Sequence, residues 1–568
     1  MAVDRGPGLA PVYRDDPRLA PLVGPGAPFE LEDVVLDGVA LRDFVRAPRT
    51  IVDVFELGAA HEALVNIVYE DERLTFADVR GRARSLAREL RSAFGVRRGD
   101  RVGIAMRNLP EFVIGFWGAA LAGAVVVPLN SWWAGGELTY ALRDAGVAVL
   151  FADGDRCDSI RAAGRPEGLG LIGVRTGAGD VAFDELTSGP PLADDEVARL
   201  DRDDPITLLY TSGTTGRPKG ALNTNRGMTA NLWNMAFASV REAIVAGRPP
   251  APARQSSTIS TGPLFHIGGI AAIVGAPLGG AKMVLMHRWD VREWARLAVA
   301  EAVTTLGGVP AVARQILEYP GVGDLGLDVR MFPIGGAAVP PDLVALATEV
   351  FGPEVALLNG YGLTETTSAV VTNVGVEFAA HPDSVGRPNL TADVRTVDAD
   401  GTPLPPGDTG ELCFRSPQVA RGYWNDEAAT RASFQDGWFR SGDLGYVDAD
   451  GFVHVVDRLK DVVIRGGENV YCAEVEAVLH EHPDVAEAAV VGLDDRSLGE
   501  RVCAVVVPRP GTKPTLASLR EFARDRLAAF KCPEALVLLP ELPTTATGKV
   551  AKTALRAQVA DAVPERTW

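Results

Sequence analysis

Hydrophobic and polar positions divide this chain into two kinds of territory. Up to about Leu390, helix-like stretches alternate with short β-branched runs. Thr75 to Phe94 precedes Arg101 to Ala105, Pro110 to Ala122 precedes Ala124 to Pro128, and Gly135 to Ala145 precedes Ala148 to Ala152. That rhythm predicts βαβ units, and therefore parallel sheets with helices on their faces. Similar runs at Thr258 to Thr261, Lys282 to Met286, Thr304 to Leu306 and Met331 to Ile334 extend the prediction. Past Leu390 the pattern changes to short strands separated by Asp398-Ala-Asp-Gly401, Pro405-Pro-Gly407 and Asp448-Ala-Asp-Gly451, turn chemistry that predicts an antiparallel β subdomain. Helices at Ala473 to Glu481 and Leu516 to Leu527, with a strand at Val502 to Val507, predict a small α+β domain at the C-terminal end. The expected fold class is thus α/β. Residues 1–48 form an N-terminal extension, 49–457 a large domain whose β subdomain occupies about 390–457, and 458–568 the small domain. No repeat period is visible.

Phe112 to Leu129 tests this reading, because its eighteen residues carry no charge and reach the lower limit of a membrane span. Gly118 and Gly123 interrupt the run, and Ala-Val-Val-Val-Pro follows Gly123, so a buried helix that stops at its C-terminal glycine and leads into a strand is the better expectation. Met1 to Pro28 is rich in Pro, Gly and charge and lacks the basic-then-apolar order of a signal peptide.

Composition narrows the function classes. A chain of 568 residues exceeds one compact core, and 47% hydrophobic residues leave ample material to bury. The formal charge of -18, with no basic stripe, argues against a nucleic-acid surface. Any polyanionic ligand must then be met by local loops. Cys157, Cys413, Cys472, Cys503 and Cys532 are scattered and odd in number, which fits a reducing compartment, and the cytoplasm is the expected location.

The densest chemistry lies in Thr211-Ser-Gly-Thr-Thr-Gly-Arg-Pro-Lys-Gly220, directly after an apolar strand at Ile206 to Tyr210. Small residues let backbone N–H groups converge, while the hydroxyls of Thr211, Ser212, Thr214 and Thr215 add donors beside Gly213, and Lys219 adds a point charge. This is the make-up of a phosphate cradle, though not with the spacing of a P-loop. A solvated Ser/Thr/Gly loop is the bland alternative, less suited to ten such residues ending in Pro-Lys-Gly. Of 56 basic residues only seven are lysines, and three of these (Lys219, Lys460, Lys549) fall inside motifs, where a compact ammonium differs from a guanidinium. Lys282, Lys513, Lys531 and Lys552 read as solvated surface residues.

That loop, Tyr361-Gly-Leu-Thr-Glu-Thr366, Gly437-Trp-Phe-Arg-Ser-Gly-Asp443, Asp457-Arg-Leu-Lys-Asp461 with Arg465-Gly-Gly-Glu-Asn469, and Pro543-Thr-Thr-Ala-Thr-Gly-Lys549 together resemble, in order, the core motifs of the adenylate-forming superfamily. That group comprises acyl-CoA synthetases, nonribosomal adenylation domains and firefly-type luciferases, and the resemblance is closest to acyl-CoA synthetases. It implies an ATP-dependent carboxylic acid:CoA ligase that forms an acyl-AMP with release of pyrophosphate and then an acyl-CoA with release of AMP. A stand-alone enzyme loading a carrier protein and a catalytically silent adenylate-binding protein are the alternatives.

The resemblance implies roles residue by residue. Thr364, Glu365 and Lys549 are catalytic, with Glu365 on Mg²⁺ and Thr215 a second candidate ligand. Tyr361 and Gly362 face the nucleotide with Gly336 and Ala337, Asp443 takes the ribose hydroxyls, and Arg458 is its cationic partner. His266, Gly268, Gly335 and Asn359 line the acyl pocket, against the plain alternative of a packed core histidine for His266. Arg465, Gly466, Gly467 and Glu468 serve the thioester step, and Lys460 is a hinge. The apolar, glycine-rich lining favours a hydrophobic acid, medium-chain, aromatic or alicyclic. Cys472 departs from the proline that many relatives carry after the tyrosine. ATP, Mg²⁺, CoA and a small carboxylic acid are the expected ligands, with no membrane span; oligomeric state stays open, a homodimer being one option.

Overall fold

The computed structural model describes residue 13 and residues 16–211, 218–248, 254–466, 468–524, 526–545 and 549–560. These divide into two compact units, one of 1–394 with 414–439 and one of 395–413 with 440–568.

In the larger unit the alternation seen in the sequence becomes a seven-stranded sheet. Its order is Lys219–Thr224, Pro205–Thr211, Val125–Pro128, Arg101–Ala105, Val147–Asp153, Gly170–Val174 and Val181–Ala182. All neighbours are parallel except the first pair, which is antiparallel. The helix Phe76–Ser92 starts at a capping box, Thr75 accepting from the Asp78 N–H while Asp78 accepts from the Thr75 N–H. The helix Pro110–Ala122 is buried at every position, begins on Pro110 and ends at Gly123, whose φ of 90° is the left-handed conformation a C-terminal cap requires. The uncharged run is therefore a core helix feeding the strand Val125–Pro128. No helix among the described residues is long and apolar enough to cross a membrane.

Two four-stranded sheets complete the framework, one ordered Ser257–Ser260, Lys282–Leu285, Val65–Tyr69, Glu72–Thr75, the other Met331–Gly335, Ala356–Leu363, Ser368–Val374, Arg387–Pro388. Thr305 bridges them by single contacts to Thr258 and Met331. The strand expected at Thr304 to Leu306 is reduced to that bridge. Gly307 follows at once, at φ 151°, so close beneath Pro333 that a Cβ would lie 2.0 Å from its carbonyl oxygen. The chain leaves the sheet there instead of extending a ladder.

Within the smaller unit, Asp443 to Val447 pairs antiparallel with the strand Val453–Arg458. Beyond it, Val485–Asp495 and Gly499–Pro508 form a long antiparallel pair, flanked by Val463–Arg465 and by Ala535–Leu538. The helices Cys472–His480, Leu516–Arg524 and Lys552–Ala560 contribute Val475, Leu519 and Leu555 to two apolar clusters around this pair. The helix expected to run to Leu527 ends at Arg524.

Three lysines that the sequence assigns to solvent are not there. Lys282 is bonded to Glu301, Lys531 to Glu474 and Lys552 to Glu476, with side chains only 16%, 21% and 20% exposed. Each lies in an element whose neighbouring strand or helix supplies a carboxylate, a pairing that composition does not reveal. Lys513 is exposed as expected.

The N-terminal segment is integral to the larger unit. Asp43, on the strand Val39–Phe44, is fully buried and held by the guanidinium groups of Arg202 (3.2 Å) and Arg226, the latter also bonded to Asp203 at 2.7 Å. Removing this carboxylate leaves two arginines facing each other without their shared counter-charge. Asp43→Ala should destabilise the larger unit by about 3–5 kcal/mol, the usual consequence of breaking a buried ion pair, whereas Asp33→Ala on the exposed face of the preceding strand should change stability by less than about 0.5 kcal/mol. Denaturant titration of both variants checks this, and equal midpoints would show the network to be dispensable.

Candidate active site

In the larger unit the phosphate-cradle motif is the connection of a β-hairpin. Thr211 ends one strand, Lys219 opens the next, and the two residues are register partners. No helix follows directly, which separates this loop from a P-loop. Ser212, Gly213, Thr214 and Thr215 lie outside the described residues. Thr211 Oγ1 donates to the Lys219 carbonyl at 3.4 Å.

Lys219 and Glu365, 146 positions apart by their numbering, meet around a residue that the motifs do not single out. The Lys219 ammonium sits 5.2 Å from the centre of the Tyr423 ring, and the Tyr423 hydroxyl donates to Glu365 Oε1 at 2.9 Å. Glu365 is buried, in a single helical turn over Thr364–Thr366. Two features hold that turn in shape. Asn223, on the strand after the hairpin, donates to the Thr364 carbonyl at 3.0 Å and to Thr367 Oγ1 at 3.1 Å. Thr367 and Ser368 both have positive φ, 49° and 78°, a strained pair stabilised by the surrounding bonds.

Tyr361 is half-buried beside Phe414, ring centroids 5.6 Å apart. A bulge separates it from exposed Gly362. Ile334 pairs with Asn359 and Gly335 with Gly360 in parallel register, and Gly336 and Ala337 are exposed just past the strand end. Thr261 Oγ1 donates to the Gly307 carbonyl, and Gly308 bridges Ile334. The segment leading to His266 and the Gly335 strand end therefore share the glycine pair 307–308. His266 caps the helix Ile267–Gly279, its Nδ1 accepting from the Gly268 N–H at 3.3 Å, and is half-exposed, as a core histidine would not be. Ligand sites in such sheets lie at strand ends of this kind.

In the smaller unit Asp443 and Arg458 are register partners on adjacent strands, Arg458 Nε lying 3.3 Å from Asp443 Oδ1. The carboxylate is 6% exposed and the guanidinium 48%, so a buried acceptor is presented beside a reachable cation. Lys460 is exposed in the turn that follows. Arg465 is clamped by Glu534 through two bonds of 2.7 and 3.0 Å, which hold its pKa above the ordinary guanidinium value; Gly466 turns at φ 61°, Glu468 is exposed, and Gly467 lies outside the described residues. Lys549 closes a short loop, exchanging bonds with Thr545 next to the Thr544–Val550 bridge. Cys472 opens its helix, with Sγ donating to the Asp461 carbonyl at 3.0 Å, and burial pushes the thiol pKa far up.

The chain matches a family model described as AMP-binding enzyme over residues 56–424 and one described as the AMP-binding enzyme C-terminal domain over 474–549. The chain belongs to the AMP-binding enzyme family. It is an acid–thiol ligase of the adenylate-forming superfamily, on the acyl-CoA synthetase side of that group. Among its relatives, a feruloyl-CoA synthase of Amycolatopsis sp is 37% identical over 491 residues, covering 85% of this chain and 93% of the relative. A long-chain-fatty-acid–CoA ligase of Mycobacterium tuberculosis is 33% identical over 501 residues, covering 87% and 95%. The o-succinylbenzoate CoA synthetase of Bacillus subtilis, solved with its acyl-adenylate intermediate, superposes with a TM-score of 0.75 at 30% identity over 92% of this chain and 99% of that one. ATP and CoA are substrates of this family.

The family connection makes the Asp443–Arg458 pair testable. A carboxylate that accepts two ribose hydroxyls makes charge-assisted bonds that water replaces poorly. Asp443→Ala should raise the KM for ATP by about 10–100-fold, as loss of hydrogen bonds to a charged group does, with kcat changed far less. An unaltered ATP dependence in a folded variant removes Asp443 from the nucleotide site.

Proposed function

We propose that this enzyme converts a hydrophobic carboxylic acid, aromatic, alicyclic or medium-chain, into its CoA thioester through an acyl-adenylate. The observation that carries the reading is the Lys219–Tyr423–Glu365 constellation beside the hairpin loop, which gathers a cation and a buried carboxylate at a phosphate-binding sequence. Relatives named for ferulate, 2-succinylbenzoate, benzoate and long-chain fatty acids support the acid class.

A carboxylate is a poor acyl donor because it is anionic and its leaving group is poor. Attack of its oxygen on the α-phosphate of ATP, with departure of pyrophosphate, gives a mixed anhydride; the CoA thiol then attacks the acyl carbon and AMP departs. In this reading Thr211 to Gly220 and Lys219 hold the phosphates, Tyr361 lies against the adenine, and Asp443 with Arg458 fixes the ribose. Lys549 brings a point charge to the bridging oxygens in the first step. Arg465 to Glu468 serve the second, and Lys460 is the pivot between them. Arg465 would act there from within its Glu534 pair. His266, Gly268, Gly335 and Asn359 line the acyl side.

Mg²⁺ fits as a cation that arrives with the nucleotide. Glu365 offers one hard oxygen donor with Thr364 beside it and Thr215 as a further candidate, and no group of three or more His, Cys, Asp or Glu among the described residues is arranged as a protein cage. Mg²⁺ commonly takes one or two carboxylates and completes its shell with phosphate oxygens and water, supplying charge neutralisation on the departing pyrophosphate. A CoA thiol needs a reducing compartment to stay free, which agrees with a cytoplasmic setting.

A carrier-protein acceptor is separated from CoA by asking which thiol releases AMP from the adenylate. A panel of aromatic, alicyclic and aliphatic acids assayed for pyrophosphate release identifies the acid. Lys549→Ala should cut acid-dependent ATP/pyrophosphate exchange by on the order of 10²-fold or more, as loss of one transition-state donor does, and leave a supplied acyl-adenylate convertible to acyl-CoA. Gly467→Leu should show the reverse. Equal impairment of both half-reactions by Lys549→Ala would refute this division of labour.

A further inference from the structure

Tyr423 lies inside the family match but in none of the motifs singled out above, yet it is the residue on which two of them converge. Its backbone is tied to the strand that leaves the phosphate loop: Ala221 bridges Tyr423, the Trp424 N–H donates to the Gly220 carbonyl at 2.7 Å, and the Leu222 N–H donates to the Gly422 carbonyl at 3.1 Å. On its other side the Tyr423 N–H donates to Thr430 Oγ1 at 2.9 Å, and the ring packs edge-on against Phe434 at 5.5 Å. A tyrosine anchored so firmly has little freedom in where it sets its hydroxyl and its ring face.

We propose that Tyr423 is a positioning residue for adenylation, its hydroxyl orienting the Glu365 carboxylate toward the cation of the incoming nucleotide while its ring face seats the Lys219 ammonium for the phosphates. This rests on the adenylate-forming reading above. Two physical points carry it. The Lys219 ammonium meets the ring face and the Glu365 carboxylate meets the hydroxyl, so one anchored side chain sets the positions of both groups. One phenol donor occupies one of about four lone-pair directions of a carboxylate and so fixes its plane.

Tyr423→Phe keeps the ring, its packing on Phe434 and the cation–π contact, and removes only the hydroxyl. Equilibrium binding of ATP, measured by calorimetry with and without Mg²⁺, is the readout that a merely structural role would not split. The Phe variant should bind Mg·ATP about tenfold more weakly, the change expected for one hydrogen bond to a charged acceptor, with metal-free ATP bound as by the wild type. Its exchange reaction should need a correspondingly higher Mg²⁺ concentration, while thioester formation from supplied acyl-adenylate changes by less than about threefold. Tyr423→Leu, which removes the ring face as well, should also weaken metal-free ATP. In a Glu365→Gln background Tyr423→Phe should have no further effect on the metal dependence. Equal weakening of ATP with and without Mg²⁺ in Tyr423→Phe, an unchanged ratio, or additivity with Glu365→Gln overturns the proposal. Failure of the wild-type enzyme to bind Mg·ATP or to catalyse exchange would instead overturn the reading on which it rests.

Discussion

The candidate site in the larger unit depends on one stretch of backbone pairing, the strand Lys219–Thr224. On one edge it is laddered antiparallel to Pro205–Thr211, which closes the phosphate hairpin. On the other it bonds the segment from Arg421 to Trp424, which delivers Tyr423. From its middle, Asn223 reaches the carbonyl of Thr364 and fixes the turn carrying Glu365. A strand with both edges satisfied cannot slide without breaking two sets of bonds, and a slip of one residue would turn every side chain to the opposite face. The relative placement of Lys219, Tyr423 and Glu365 follows from that register.

Buried charge is the second constraint, and in this acidic chain it is handled by pairing. Asp393 is shared by Arg42 and Arg415, with all three side chains nearly buried, and Asp43 is shared by Arg202 and Arg226. Asp43 and Arg42 sit side by side on the N-terminal strand Val39–Phe44 and point to different partners. The strand is thereby fastened at successive positions to residues far along the chain. Such pairs add little net stability over apolar packing of the same volume, but they are costly to break and they specify which segments meet.

The helix–strand alternation was legible because its local signals agree: Pro110 at a helix start, Gly123 at its end and a continuous apolar run between them leave one solution once a membrane is set aside. Thr304 to Leu306 misleads because three β-branched and apolar residues look like a strand, while what decides their fate is the glycine pair that follows and the chain beneath which it passes. The Thr211 to Gly220 run and the Asp443 motif stand out in the sequence as candidate chemistry, since small residues, hydroxyls and a lysine in one run have few other uses. Tyr423 was not legible. Its partner Glu365 is 58 residues away, and a hydrogen bond across that separation leaves no period and no spacing in the sequence. The carboxylates that capture Lys282, Lys531 and Lys552 are hidden for the same reason.

In the smaller unit one short helix, Cys472–His480, joins the two places where the chemistry is expected to change. Cys472 at its start holds the carbonyl of Asp461, the residue after Lys460. One turn on, Glu476 holds the Lys552 ammonium at 2.7 Å, three residues past Lys549. Burial alone would push Lys552 toward its neutral form, but the charge and hydrogen bond of Glu476, with Asp457 as a lesser contribution, outweigh it and keep the group above its ordinary pKa, so this tie persists across the physiological range. The flank of the proposed pivot and the root of the Lys549 loop are therefore fixed to the same rigid element. A rotation at Lys460 would then carry Lys549 with the helix, without slack to absorb the motion.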